Sequence, residues 1–413
     1  MDTKRLGVVD LAGAVVLAVV LVALYGSLAQ TRLFGDGPGL VGPPPAGQEL
    51  AGIHFGYQLA LGLLRDALPG LSRLAAAKWF SAFCGGLGVS CVFLLARALG
   101  LATLVALGAA LLAATSPVLV FFATTVEVHT LQLLAVGIGA LCVVIAPWRR
   151  PVVATLVAGF GLSLAFQAHE TSLLLGPGWL ALAVWAAHRA GVDLSVRRAL
   201  LAVGPALLGI VILTAVLVQV RRGRAASATA TTSLDVMLAF QGLVSLGTFL
   251  RGGFLVPLMG LAVLPLLGLR TGLFDPRLRL ALLLLVLVPF GFLLWWRVPE
   301  RGAYMVGSLP FLALLAARGL AALPAPRLVL PAVLLVQLGL AAAAVDEYDR
   351  GLDPTEHFEL VRDVTGGHGT LLTALALTPS LDLDLPDLTV LEYQRSIRLA
   401  LEAPFSGGQG NAE

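Results

Sequence analysis

The sequence predicts an all-α polytopic integral membrane protein of about eleven transmembrane helices, with a small C-terminal extracytoplasmic appendage. Three observations predict it. Hydrophobic residues make up 58% of the 413 and charged residues only 12%, whereas soluble domains carry about 25% charged residues. Apolar runs near the length needed to cross a bilayer, about 20 residues, recur along the chain. The charges also partition: residues 346–413 hold 13 of the 24 acidic residues against four Arg, while 1–345 hold 23 basic and 11 acidic residues. This composition excludes a soluble globular fold, and its high hydrophobicity excludes disorder. It divides the chain into a multi-span membrane domain, 1–345, and an acidic extracytoplasmic tail, 346–413.

In order, the spans are read at 6–29, 75–96, 101–120, 128–146, 152–168, 171–187, 199–220, 252–269, 280–296, 304–321 and 328–345. The first is read as an uncleaved span, because its apolar run is long for a signal peptide and no small-residue cleavage site follows it. The positive-inside rule sets the orientation. With the N-terminus cytoplasmic, thirteen basic residues fall in short cytoplasmic connections: Lys4, Arg5, Arg97, Arg149, Arg150, Arg189, Arg197, Arg198, Arg270, Arg277, Arg279, Arg318 and Arg327. An odd number of spans leaves the C-terminus extracytoplasmic. The first outer loop, about 30–74, is rich in Gly and Pro over 35–47, followed at 49–65 by residues with the spacing of an interfacial helix. The stretches 381–385 and 388–391 alternate in the tail, which is expected to form a small folded appendage up to about 400, and 406–410 read as disordered.

Cys84, Cys91 and Cys142 sit in apolar runs and read as core residues. No Gly-rich phosphate loop follows a strand, no basic run is interleaved with aromatic residues, and no CxxC occurs. ATP-driven and nucleic-acid-binding functions therefore have no support.

The ionisable residues of chemical interest gather on the outer side of this topology. Asp36, between Gly35 and Gly37, is either a general base at the bilayer rim or a turn-forming residue. His54 lies further along the same loop. Glu127 and His129 open the fourth span. They face either a cavity, as costly polar groups at membrane depth usually do, or simply the helix N-terminus. His169 and Glu170 join the fifth and sixth spans almost without a loop, and the H-E-x-x-H zinc spacing is absent. Arg301 and Tyr304 follow Trp295 and Trp296. They suit either a lipid phosphate or an aromatic belt with Arg paired to Glu300. A divalent metal is compatible with these residues, but no ligand spacing supports one.

Several segments resemble GT-C-type membrane glycosyltransferases, in particular the protein O-mannosyltransferase-like family with a long first extracytoplasmic loop. Phe34-Gly35-Asp36-Gly37 is similar to the first-loop Asp motif of that family. The segment from Gly52 through His54 and Tyr57 to Leu59 is similar to its Gly-x-x-His-Pro-Pro-Gly-Tyr-Pro-Leu stretch. Ala76-Ala77-Lys78-Trp79-Phe80-Ser81-Ala82 is similar to the start of its second span, and Ser116-Pro117 through Glu127-Val128-His129 to its Ser-Pro…Ala-Glu-Val-Tyr segment. Gly161 through His169 matches its Gly-Leu…His segment. The likeness runs in order over about 1–180 and more loosely over the Arg301–Pro310 region. It departs from the family at Gly39, where an acidic residue is common, and after His54, where two prolines and one position are missing.

The resemblance implies transfer of a sugar from a polyprenyl-phosphate carrier to a glycan, lipid or protein hydroxyl, on the outer face of a bacterial inner membrane. It implies that Asp36 is the base. His54, Tyr57, Glu127, His129, His169 and Glu170 would line the substrate cavity, with Arg301 and Tyr304 at the carrier phosphate. Two other readings stay open: a transporter or flippase of lipid-linked sugar, and a catalytically degenerate member of the same fold.

Overall fold

The computed structural model describes residues 6–30, 40–41, 55–192, 246–258, 260–270, 274–295, 302–349, 369–373 and 388–392. The expected span at 199–220 lies outside them, as do Asp36, His54, Arg301 and the 381–385 stretch. The described membrane body is helical: α1 Val8–Ser27, α2 Phe55–Ala67, α3 Arg73–Ala98, α4 Thr103–Ala114, α5 Pro117–Thr124, α6 His129–Ile145, α7 Pro151–Ala168, α8 Gly176–Arg189, α9 Gly260–Arg270, α10 Pro276–Trp295, α11 Leu309–Ala321 and α12 Pro326–Asp349. Six helical stretches among the described residues are long and apolar enough to cross a membrane, or seven if the bent α4–α5 pair is one span. Two shorter apolar helices, His129–Ile145 and Gly260–Leu269, fall on further expected spans.

Several expected spans depart from regular helix. The sixth opens with a 3-10 turn at Glu170–Leu175, the tenth with another at Ala303–Ser308, and the eighth with a π-helical stretch at Leu250–Leu255. In the tail, β1 (Gly369–Thr373) pairs in parallel with β2 (Leu388–Glu392), aligning Gly369 with Leu388.

The bundle is apolar outside as well as inside. Along α1, Val8, Val9, Val15, Val16, Val19 and Val20 are exposed, while Ala14, Ala18, Leu21 and Tyr25 are buried. Such a band would be a large apolar patch in water, and it is an ordinary lipid-facing surface in a bilayer. Helix association in lipid relies on close contact through small residues rather than on the hydrophobic effect. The crossing of α6 and α7 shows this. A Cβ placed on Gly161 would lie 2.7 Å from the Cα of Gly139, so the two backbones touch and any larger residue would force them apart.

Several polar groups within the bundle find partners inside the protein, as a medium without water favours. Pro117 breaks the third span, and α5 departs from α4 by 61°. The carbonyls at that break are covered by neighbouring hydroxyls. Thr115 Oγ donates to Leu111 O at 2.9 Å, Ser116 Oγ to Ala113 O at 2.7 Å, and Tyr25 Oη, from α1, to Ala114 O at 2.7 Å. Gln30 Nε2 then ties the end of α1 to Thr124 Oγ at 2.7 Å.

At the opposite end of α1, Asp10 forms a buried ion pair with Arg97 on α3 at 2.7 Å. Arg97 also donates to the Leu101 carbonyl, and Asp10 accepts from the Gly7 N–H at 3.1 Å. One side chain thus locks α1, the end of α3 and the turn into α4. Removing one member of a buried pair leaves an uncompensated charge and costs about 3–5 kcal/mol. We therefore expect Asp10→Asn to lower the unfolding midpoint of the protein in detergent micelles markedly, while the lipid-facing Val19→Ala leaves it nearly unchanged. Equal midpoints for Asp10→Asn and the parent would show that the pair does not hold the bundle.

Candidate active site

The polar cluster lies at the end of α3 away from Arg97. Ser81 is 16 residues before Arg97, or about 24 Å along a helix rising 1.5 Å per residue. Four elements meet there: the α5–α6 connection, the end of α7, the 3-10 turn after it, and the 3-10 turn before α11.

Glu127 sits in the short α5–α6 connection and is buried. Its Oε2 accepts from the Val128 N–H at 3.1 Å, beside the N-terminus of α6, where the helix dipole favours an anion. Its own N–H donates to Ser81 Oγ at 3.5 Å. Ser81 Oγ is also 3.5 Å from the hydroxyl of Tyr57, whose ring packs edge-on against Phe80 with centroids 5.1 Å apart. Burial pushes the Tyr57 phenol far above its ordinary range, so it stays protonated and able to donate.

Helix α2 reaches this position because Gly56 lies against α7. A Cβ there would come 2.2 Å from the Gln167 carbonyl oxygen. Only the absence of a side chain lets the turn carrying Tyr57 dock beside the residues leading into His169.

His129 begins α6 and is 4% exposed, as is His169. Their rings stack with centroids 5.1 Å apart at 30°. Tyr304 stands edge-on to both, at 5.7 Å and 5.8 Å, and Phe122 closes the group at 4.8 Å from His129. His169 is the C-cap of α7, with an extended backbone (φ −162°) that turns the chain into the Glu170–Leu175 turn. Tyr304 is the second residue of its own 3-10 turn, which starts after Gly302 at φ +80°, a left-handed conformation that glycine adopts freely.

The chain therefore brings Tyr57, Glu127, His129, His169 and Tyr304 to one end of the bundle, and Glu170 begins the turn that follows His169. Among the described residues, no group of three or more His, Cys, Asp or Glu side chains is arranged to hold a metal ion. The imidazole and phenol groups, in an apolar surround, can donate hydrogen bonds to phosphate and sugar oxygens, and the Glu127 carboxylate can accept from sugar hydroxyls; such bonds strengthen where water is excluded.

Ser81, Gln132, Thr171 and Ser172 also belong to this cluster and did not stand out in the sequence. Gln132 was the readable one, as the polar residue three positions after His129 on the same helix face.

The Gly56 contact has a direct test. Gly56→Val should undock α2, read as faster hydrogen exchange over 55–67 with α6 and α7 unchanged. Gly62→Val, where an added Cβ meets nothing within 4 Å, should leave exchange as in the parent. Equal protection in both variants would contradict the close approach.

Neither a family model nor a curated protein sequence matches the chain. Among solved structures, the chain is similar to the crystal structure of ArnT from Cupriavidus metallidurans bound to undecaprenyl phosphate, with a TM-score of 0.63 and 14% identity, over 95% of this chain and 88% of that one. The likeness extends across nearly the whole chain, well past the region of motif resemblance. It shows a GT-C-like fold for the chain, without singling out the O-mannosyltransferase-like family within it.

Proposed function

We propose that the chain is a membrane glycosyltransferase that moves a sugar from a polyprenyl-phosphate carrier to an acceptor hydroxyl on the extracytoplasmic face. The observation that carries this reading is the cluster of buried Glu127, His129 and His169 with the partly buried Tyr304, at one end of a bundle whose fold is similar to that of a protein bound to undecaprenyl phosphate. Arg97, Arg189 and Arg318 lie in the last turns of α3, α8 and α11. By the positive-inside rule those ends are cytoplasmic, which supports an extracytoplasmic cluster.

The chemistry asks little of the protein beyond position and charge. The bond between the sugar anomeric carbon and the carrier phosphate breaks while the acceptor oxygen bonds to that carbon. The hydroxyl proton passes to a carboxylate, which the motif resemblance assigns to Asp36. The polyprenyl phosphate leaves with one more negative charge, and donors at the site stabilise it. Arg301 and Tyr304 are the proposed phosphate contacts. His54, Tyr57, Glu127, His129, His169 and Glu170 are the proposed lining of the sugar and acceptor cavity.

The broken α4–α5 span favours a second reading, since transporters build their sites at discontinuous helices. The carbonyls at this break are capped by Thr115, Ser116 and Tyr25, however, so they do not present the open ligating backbone that a transport site uses.

Asp36→Asn in the purified full-length protein, given a polyprenyl-phosphate sugar and an acceptor, should lower transfer by about 10²–10⁴-fold, the usual weight of a general base. Unchanged transfer at equal protein level would remove Asp36 from the mechanism. Sugar movement across proteoliposomes with no new glycosidic bond, by the parent, would favour the transporter.

A further inference from the structure

The hydrogen bonds around His169 have a direction. The Thr171 backbone N–H donates to His169 Nδ1 at 3.2 Å. An amide N–H can only donate, so Nδ1 is the acceptor and the neutral ring carries its proton on Nε2. Thr171 Oγ is 2.8 Å from the same Nδ1. With Nδ1 unprotonated, the hydroxyl is the donor in that contact as well. Its oxygen then accepts from Gln132 Nε2 at 3.1 Å, and the second Gln132 N–H goes to Ser172 Oγ at 3.0 Å.

The amide is held in a buried place. Gly307 lies against it, since a Cβ there would be 3.0 Å from Gln132 Nε2, and Gln132 itself is 1% exposed. The Ser172 N–H donates back to the His169 carbonyl at 3.0 Å. A proton on Nδ1 would face the Thr171 N–H, which can donate but not accept.

We propose that Gln132 and Thr171 are positioning residues whose directed relay, Gln132 to Thr171 to His169 Nδ1, locks His169 as the neutral Nε2–H tautomer. His169 is then a hydrogen-bond donor in the site and not its base. The group that it would serve is an anionic oxygen, and naming that oxygen as the carrier phosphate rests on the glycosyltransferase reading.

The test uses the full-length protein in bilayers with [15N]-histidine, and His169 is identified among the six histidines by the signals lost in His169→Asn. Nitrogen NMR should show an unprotonated, hydrogen-bonded Nδ1 and a protonated Nε2. Thr171→Val removes the hydroxyl while keeping the backbone N–H. It should move the Nδ1 signal toward that of a nitrogen with fewer hydrogen bonds, Gln132→Leu should move it less in the same direction, and Thr171→Ser should restore it. In a transfer assay Thr171→Val should lower kcat by about tenfold, the weight of one hydrogen bond, with Thr171→Ser close to the parent. A proton on Nδ1 in the parent, or an Nδ1 signal that Thr171→Val does not move, would overturn the relay. If the nitrogen signals behave as expected and the parent transfers no sugar, the relay stands and the glycosyltransferase reading falls.

Discussion

A polar group surrounded by lipid has to find its partner within the protein, and the described membrane body follows from that constraint. The polar side chains fall into layers. Near one end, Asp10 and Arg97 neutralise each other and close the α3–α4 turn. Around the α4–α5 break, Ser116 and Tyr25 cover the Ala113 and Ala114 carbonyls beside Pro117. At the far end, Ser81, Glu127, Gln132, His129, His169 and Tyr304 share one neighbourhood.

Much of this was legible in the sequence, and for the same reason. Hydropathy marks spans because unsatisfied backbone cannot cross lipid. The few ionisable residues stand out because each is costly there, so Glu127, His129, His169 and Tyr304 were readable as a group before their rings met. The alternation at 388–391 marked only a folded piece of the tail; that it forms a strand paired with Gly369–Thr373 was not readable, because pairing is not a local property.

The less legible features depend on how helices cross. Nothing local marks Gly56 as the residue that must clear the Gln167 carbonyl, since Gly62 on the same helix meets nothing. Thr171 looks like a helix residue until the 3-10 turn sets its hydroxyl against His169. Asp10 reads as an isolated acid in an apolar run until α3 brings Arg97 to it. The 3-10 and π-helical stretches are of the same kind: they adjust helix starts to tertiary contacts that the apolar pattern does not record.

The central claim is that the carrier phosphate is handled at the His129–His169–Tyr304 end of the bundle. The most direct measurement is photo-crosslinking with a polyprenyl phosphate that carries a diazirine beside its phosphate, followed by peptide mapping of the full-length protein. The account predicts adducts on 117–135, 161–176 and 302–309. Adducts confined to the Asp10–Arg97 end would contradict it.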